Sequence, residues 1–118
     1  MDKERPVLQD LVNFGTTDVE KFQNEVLRPI IKMQHNLLIA FFENYLQKRK
    51  IDLSVLALEK KKLKIQSILE KDNQFRNIIL GSILGHFSKE EYTNYCTTAK
   101  DINKRIVQIT IQRLQNSL

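Results

Sequence analysis

The sequence predicts an all-α fold: an antiparallel bundle of about four main helices preceded by a short N-terminal one. Three observations predict it. Apolar residues recur at spacings of three and four through most of the chain, the repeat of one helix face. No segment alternates with a period of two, and no Asn-Gly or Asp-Gly turn is present to join two strands. Only 3 Gly and 2 Pro interrupt 118 residues, and most stand where helices would start or stop. At 42% hydrophobic and 28% charged, residues 1–118 make a single domain with enough apolar side chains for one core.

Pro6 suits the first turn of the short helix, whose stripe is Val7, Leu8, Leu11 and Val12 and whose stop is Gly15. Thr17-Asp18-Val19-Glu20 is a capping box, in which the Thr17 hydroxyl and the Glu20 carboxylate each accept an orphan backbone N–H, so a long helix starts there. Its apolar positions are Val19, Phe22, Val26, Ile30, Met33, Leu37 and Phe41. Pro29 lacks an N–H and crowds the carbonyl of Glu25, which predicts a kink or a break. Beyond it, eleven of the 17 residues from Ile30 to Leu46 are apolar. A helix apolar on every side is buried on every side, either at the centre of this bundle or against a second copy of the chain.

Lys48-Arg49-Lys50 closes that helix with cations at the negative end of its dipole, and Ile51 to Val55 form a connection. The next helix spans Leu56 to Lys71, with Leu56, Leu63, Ile65, Ile68 and Leu69 inward and Lys60, Lys61, Lys62 and Lys64 largely outward. Asp72 or Asn73 caps a helix carrying Phe75, Ile78, Ile79, Ile83 and Leu84, with Gly85 as its C-cap. Gly81 and Gly85, four apart, would also permit close approach to a neighbour. Ser88-Lys89-Glu90-Glu91 is a second capping box. The final helix runs from Lys89 to Asn116, with a seam of Tyr92, Tyr95, Ala99, Ile102, Ile106 and Ile109 and a second stripe of Val107, Ile111 and Leu114. As one rod it would be about 42 Å long. A compact domain of this size has a radius of gyration of only about 13–14 Å, so the rod would project or pair with a second chain. A homodimer is therefore expected, with Leu38, Phe42, Ile102, Ile106 and Ile109 as self-association residues.

The net charge of +5 is local: residues 48–64 hold seven cations (Lys48, Arg49, Lys50, Lys60, Lys61, Lys62, Lys64) and two acids, an excess equal to that of the whole chain. Such a patch draws nucleic acid or an acidic protein, although no aromatic side chains interleave with it for base stacking. A second candidate is a pocket at the junction around residues 85–95, formed by Arg76, His86, Glu91, Tyr92 and Tyr95, whose polar tips stand beside apolar rings.

Metal and catalytic chemistry find little support. Neither His35 nor His86 has a Glu three residues before it, as paired di-iron helices require, and His35 and Glu43 are two helical turns apart. Cys96 follows the inward Tyr95, which predicts a buried, inert thiol. Glu90 and Glu91 serve a helix start rather than acid–base work. No metal and no cofactor is called for. The charged start Met1 to Pro6 has no apolar leader, and the longest apolar run, Leu37 to Phe42, is six residues, against about 20 for a membrane span. The expectation is a cytoplasmic protein, not inserted in a membrane, with Cys96 reduced.

The stretches Leu27-Arg28-Pro29-Ile30-Ile31-Lys32-Met33-Gln34, Lys71-Asp72-Asn73-Gln74-Phe75-Arg76-Asn77 and Gly85-His86-Phe87-Ser88-Lys89-Glu90-Glu91-Tyr92-Thr93-Asn94-Tyr95, with Asn103-Lys104-Arg105, resemble a small uncharacterised bacterial family over most of the chain. Some of its members carry an automatic "glyoxalase" label. That label implies a fold of βαβββ units with a metal held by His and Glu from strands, and neither strands nor that ligand set is legible here. The resemblance implies an all-α protein and no particular activity. The leading expectation is thus a self-associating interaction or structural module. The alternative is a nucleic-acid- or anion-binding module using residues 48–64. A third is a lyase of the labelled kind.

Overall fold

The structure, a computed structural model, describes residues 18–118. The helix expected at Pro6, its stop at Gly15 and Thr17 of the first capping box lie outside the described residues. The chain enters at α1 (Asp18–Phe22) and passes through one π-helical turn (Gln23–Leu27) into α2 (Arg28–Met33). After a break at Gln34 it continues as α3 (His35–Lys48), and a short 3-10 turn (Leu53–Val55) leads to α4 (Leu58–Lys71). Then come α5 (Asn73–Leu84), α6 (Lys89–Thr97) and α7 (Ala99–Asn116). No strand occurs among the described residues, and the all-α bundle is as expected.

Pro29 does not break the helical path, and the irregularity it imposes takes the form of the π turn Gln23–Leu27, which contains Glu25. Leu27 and Arg28 keep right-handed helical backbone angles, and Pro29 stands in the first turn of α2. The adjustment lies just before it, where the Arg28 N–H donates to the Gln23 carbonyl, five residues back. A wider turn relieves the contact between the proline ring and the carbonyl of Glu25 that a regular α-turn would impose. The interruption falls instead at Gln34 (φ −91°, ψ 4°). There the side chain is 3% exposed, and its amide donates to the Ser82 carbonyl at 3.4 Å.

The central helix is α7, not the apolar α3. Ile102, Ile106, Val107, Ile109, Thr110, Ile111 and Leu114 are all buried in it, because it packs against α2, α3, α4, α5, α6 and the π turn. Both of its apolar stripes are used. The helix α3 buries only Leu38 and Phe42, with Ile39, Phe41, Tyr45 and Leu46 half-buried against the core. Its surplus of apolar residues wraps the bundle rather than filling it.

The final helix is not one rod. Thr98 (φ −135°, ψ 32°) separates α6 from α7. Its neighbour Thr97 turns its hydroxyl back onto the Asn94 carbonyl at 2.7 Å, the local competition that β-branched hydroxyl residues offer a helix. Before the break, on α6, Tyr95 is buried while Tyr92 is 53% exposed. The fold measures 44 × 31 × 25 Å with a radius of gyration of 15.0 Å, and the length argument for a second copy falls away.

Most caps match their sequence signals. The Asp72 carboxylate accepts the Phe75 N–H at 3.0 Å and starts α5. Ser88 and Glu91 close the capping box of α6 with bonds of 2.8 and 3.1 Å. Gly85 ends α5 in a right-handed conformation (φ −62°, ψ −14°), so it acts as a cap without the left-handed turn. A Cβ on Gly81 would meet nothing within 4 Å, so the glycine pair serves no close helix approach. At the end of α3, Lys50 occupies the left-handed position (φ 55°), and the Ile51 N–H reaches back to the Leu46 carbonyl at 2.9 Å. That is a Schellman turn with lysine where glycine is usual.

Candidate functional site

The basic segment does not form one patch. Lys48 and Arg49 end α3, Lys50 sits in the turn, and Lys60, Lys61, Lys62 and Lys64 project from α4. At 100° per residue four such neighbours spread around the helix: Lys64 lies beside Lys60 and Lys61, four and three residues before it, and Lys62 points away from them. Leu63, expected inward, is 64% exposed because it lies opposite the buried Ile65, Ile68 and Leu69.

The point of convergence is Asp72, between α4 and α5. Its Oδ1 caps α5, and its Oδ2 accepts the Tyr45 hydroxyl at 2.8 Å and the Arg49 guanidinium at 3.3 Å. Arg49 also stands 5.1 Å from the centre of the Tyr45 ring, a cation–π contact that fixes the end of α3 against the start of α5. The bonds from Phe75 N–H and then Tyr45 hold the Asp72 carboxyl below the usual carboxylate range. Burial, and then the Asp72 carboxylate, push the Tyr45 hydroxyl up from its ordinary value.

Around this corner runs a groove of about 260 Å³ between α3 and α5, floored by Phe41, Phe75 and Ile78 and bordered by Lys48 and Arg49. Phe75 is buried beneath it, 4.7 Å from the Tyr45 ring and 6.2 Å from Phe42. Ile78 is 53% exposed. A shallower cleft of about 450 Å³ shares Tyr45, Asp72 and Gln74 with the groove and adds Lys64 and Lys71. Of the seven basic candidates, Lys48, Arg49 and Lys64 therefore border this surface, while Lys50, Lys60, Lys61 and Lys62 do not. Arg49 is neutralised by Asp72. Lys48, Lys64 and Lys71 have no carboxylate partner among the described residues. Lys71 was overlooked because it lies outside the densest run of charge, and Tyr45 because it reads as core.

Of the residues expected to form a pocket, Arg76, His86, Glu91, Tyr92 and Tyr95, Arg76 stands apart from the others. Arg76 lies in the first turn of α5, about ten residues or 15 Å of helix away from His86. Its guanidinium closes the end of α4, donating to the Glu70 carbonyl at 2.7 Å and to Asn73. Glu91 belongs to the capping box. Tyr92 and Tyr95 stack at 5.9 Å, Tyr95 contacts Phe87 at 5.8 Å, and Phe87 meets Phe22 edge-on at 5.5 Å. The Tyr95 hydroxyl donates to Asn103 at 2.7 Å, so this cluster is structural. Cys96, expected buried, is exposed, and its contact with Tyr92 raises that hydroxyl above its ordinary value.

The five self-association candidates Leu38, Phe42, Ile102, Ile106 and Ile109 are buried in the chain's own core, none of them more than 6% exposed. Their burial within one copy accounts for the apolar pattern that suggested a second. No group of His, Cys, Asp or Glu suited to a metal ion occurs among the described residues, and no helix there is long and apolar enough to cross a membrane. No family model, curated protein or solved structure matches the chain.

Proposed function

We propose that the chain is a helical interaction module whose working surface is the groove between α3 and α5, and that the partner is an acidic amphipathic segment of another protein. The observation that carries this reading is the combination at one corner of an apolar floor (Phe41, Ile78) with three cations that have no carboxylate partner among the described residues (Lys48, Lys64, Lys71). An apolar strip seats a helix face, and the flanking cations select and orient an acidic one. A second copy of the chain suits the groove less well, since it would bring lysine against lysine. The Tyr45 ring is already taken up by Arg49 and the Asp72 bond, which favours a protein over a single-stranded nucleic acid that needs open stacking faces. A cytoplasmic location belongs to the same proposal, because an exposed lone thiol suits a reducing compartment.

The test is fluorescence anisotropy with a labelled amphipathic peptide rich in Glu and Leu. Its binding is expected to weaken with salt and to fall by about tenfold or more in Lys48→Glu/Lys64→Glu/Lys71→Glu. Lys60→Glu/Lys62→Glu, outside the groove, should leave it within about twofold. Equal loss in both variants would reduce the effect to net charge and overturn the assignment of the groove. Tighter binding of a duplex oligonucleotide than of the peptide would favour the nucleic-acid reading, and a dimer by light scattering, broken by Ile78→Glu, would favour self-association.

A further inference from the structure

A second set of cations meets elsewhere. Arg28 on α2, His35 at the start of α3 and Arg113 in the last turns of α7 line one cleft of about 380 Å³, together with Ile109, Gln112 and Asn116. Each guanidinium is fixed by a neutral group. Arg28 Nε donates to Asn24 Oδ1 at 3.2 Å, and Arg113 Nη1 lies 3.2 Å from His35 Nδ1. A guanidinium has no acceptor, so Nδ1 takes that bond and Nε2 of the same ring is left as a donor. Neither arginine has a carboxylate partner among the described residues. Burial, and then the Arg28 charge, pull Arg113 below the ordinary guanidinium value, as expected of two like charges held together without a counter-charge. Arg113 stands where a cation complements the end of α7, yet its guanidinium bonds across the cleft to α3.

We propose that this cleft binds a phosphate monoester, with the phosphoryl group held between Arg28 and Arg113 and the organic part over Ile109 toward Gln112 and Asn116. Two planar forks match a tetrahedral oxyanion, each able to give it two parallel bonds. A phosphate monoester carries about −1.5 to −2 at neutral pH, the charge that two arginines balance. The cleft volume falls within the range of about 300–1,000 Å³ typical of small-molecule sites, so there is room for more than the anion alone. The ligating groups come from three helices, and they converge because the break at Gln34 ends α2 beside α7.

Calorimetric titration of the full chain with glycerol 3-phosphate, and separately with inorganic phosphate, at fixed ionic strength tests this. Saturable binding is expected, tighter for the monoester. Arg28→Gln and Arg113→Gln should each weaken it by about tenfold or more. Arg28→Lys should do nearly the same, since lysine keeps the charge and loses the fork. Lys60→Gln, on the outer face of α4, should leave the affinity within about twofold. Should an arginine variant fail to fold by circular dichroism, Asn24→Ala carries the test: it removes the group that orients Arg28 and should weaken binding severalfold without changing the charge. Failure of both ligands to saturate, or unchanged affinity in the arginine and Asn24 variants, overturns the site. Inorganic phosphate binding as tightly as the monoester overturns the choice of ligand.

Discussion

The two cationic regions are built on opposite principles. Around Asp72 the lysines (Lys48, Lys64 and Lys71) are exposed and have no carboxylate partner among the described residues, while Arg49 is neutralised by Asp72. In the α2–α3–α7 cleft the arginines are 85 residues apart in sequence (28 and 113), half-buried, and oriented by Asn24 and His35 without being neutralised. The first arrangement adapts to a partner that brings its own shape, because lysine is a mobile point charge. The second has already lost much of its side-chain freedom on folding and suits a ligand of fixed geometry. A count of charge along the chain finds Lys48, Arg49 and Lys64 of the first, overlooks Lys71, and misses the second altogether.

The largest effect that separates the two comes from the floor beneath the lysines. Phe75 is buried between Phe42 and Tyr45, and Phe75→Ala should cost about 3–5 kcal/mol by urea denaturation, through lost transfer and a cavity that α3 cannot fill. It should also abolish peptide binding at the groove. In whatever fraction stays folded, glycerol 3-phosphate affinity should be unchanged, because the arginine cleft and the groove share no lining residue. Loss of both affinities in folded protein would mean that the regions are one cooperative unit.

A smaller change of opposite sign concerns Lys50. Its left-handed backbone costs a non-glycine residue about 1 kcal/mol. Lys50→Gly should therefore raise the stability by up to about 1 kcal/mol while removing one of the seven cations of residues 48–64. Peptide affinity should persist, since Lys50 does not border the groove. A loss of affinity alongside the gain in stability would return the basic segment to a single functional patch.

Which features were legible follows from how local their causes are. Asp72, Ser88 and Glu91 act within one helical turn, so their spacing announces them. The apolar stripes of α7 are equally local, and every buried residue of α7 except Thr110 lies on one of them. The breaks at Gln34 and Thr98 carry no such mark. Gln34 is held by the carbonyl of Ser82, 48 residues away, and nothing near Gln34 foretells that partner. Pro29 was a true signal, and its strain was absorbed in the preceding turn. The basic run was conspicuous because its residues are adjacent, yet adjacency on a helix disperses side chains. Arg28 and Arg113 carried no signal at all until α2 and α7 were brought together.

The Asp72–Tyr45 bond supplies the finest test, because it needs a proton on one partner and none on the other. Asp72 holds its proton less tightly in the folded chain than in the unfolded one, owing first to the Phe75 N–H and then to Tyr45. As the pH falls below the usual carboxylate range, the unfolded chain therefore takes up more protons. The contribution of Asp72, full above that range, is lost as the pH drops through its depressed folded value. Tyr45 is shifted the other way, by burial first and then by Asp72. Its contribution is full below the ordinary tyrosine range and is lost as the pH rises through the elevated folded value. Stability against urea should thus decline at both ends of the scale. Asp72→Asn, which keeps an oxygen for the α5 cap, should make the acid decline shallower, leaving the share of Asp52, whose carboxyl is lowered by Ser54, and should soften the alkaline one. Arg113→Gln should leave the acid decline as in the parent, because its cleft holds no carboxylate. If Arg113→Gln made it shallower as Asp72→Asn does, the two regions would share a titrating group, and the separation between a neutralised and an unneutralised set of cations would not stand.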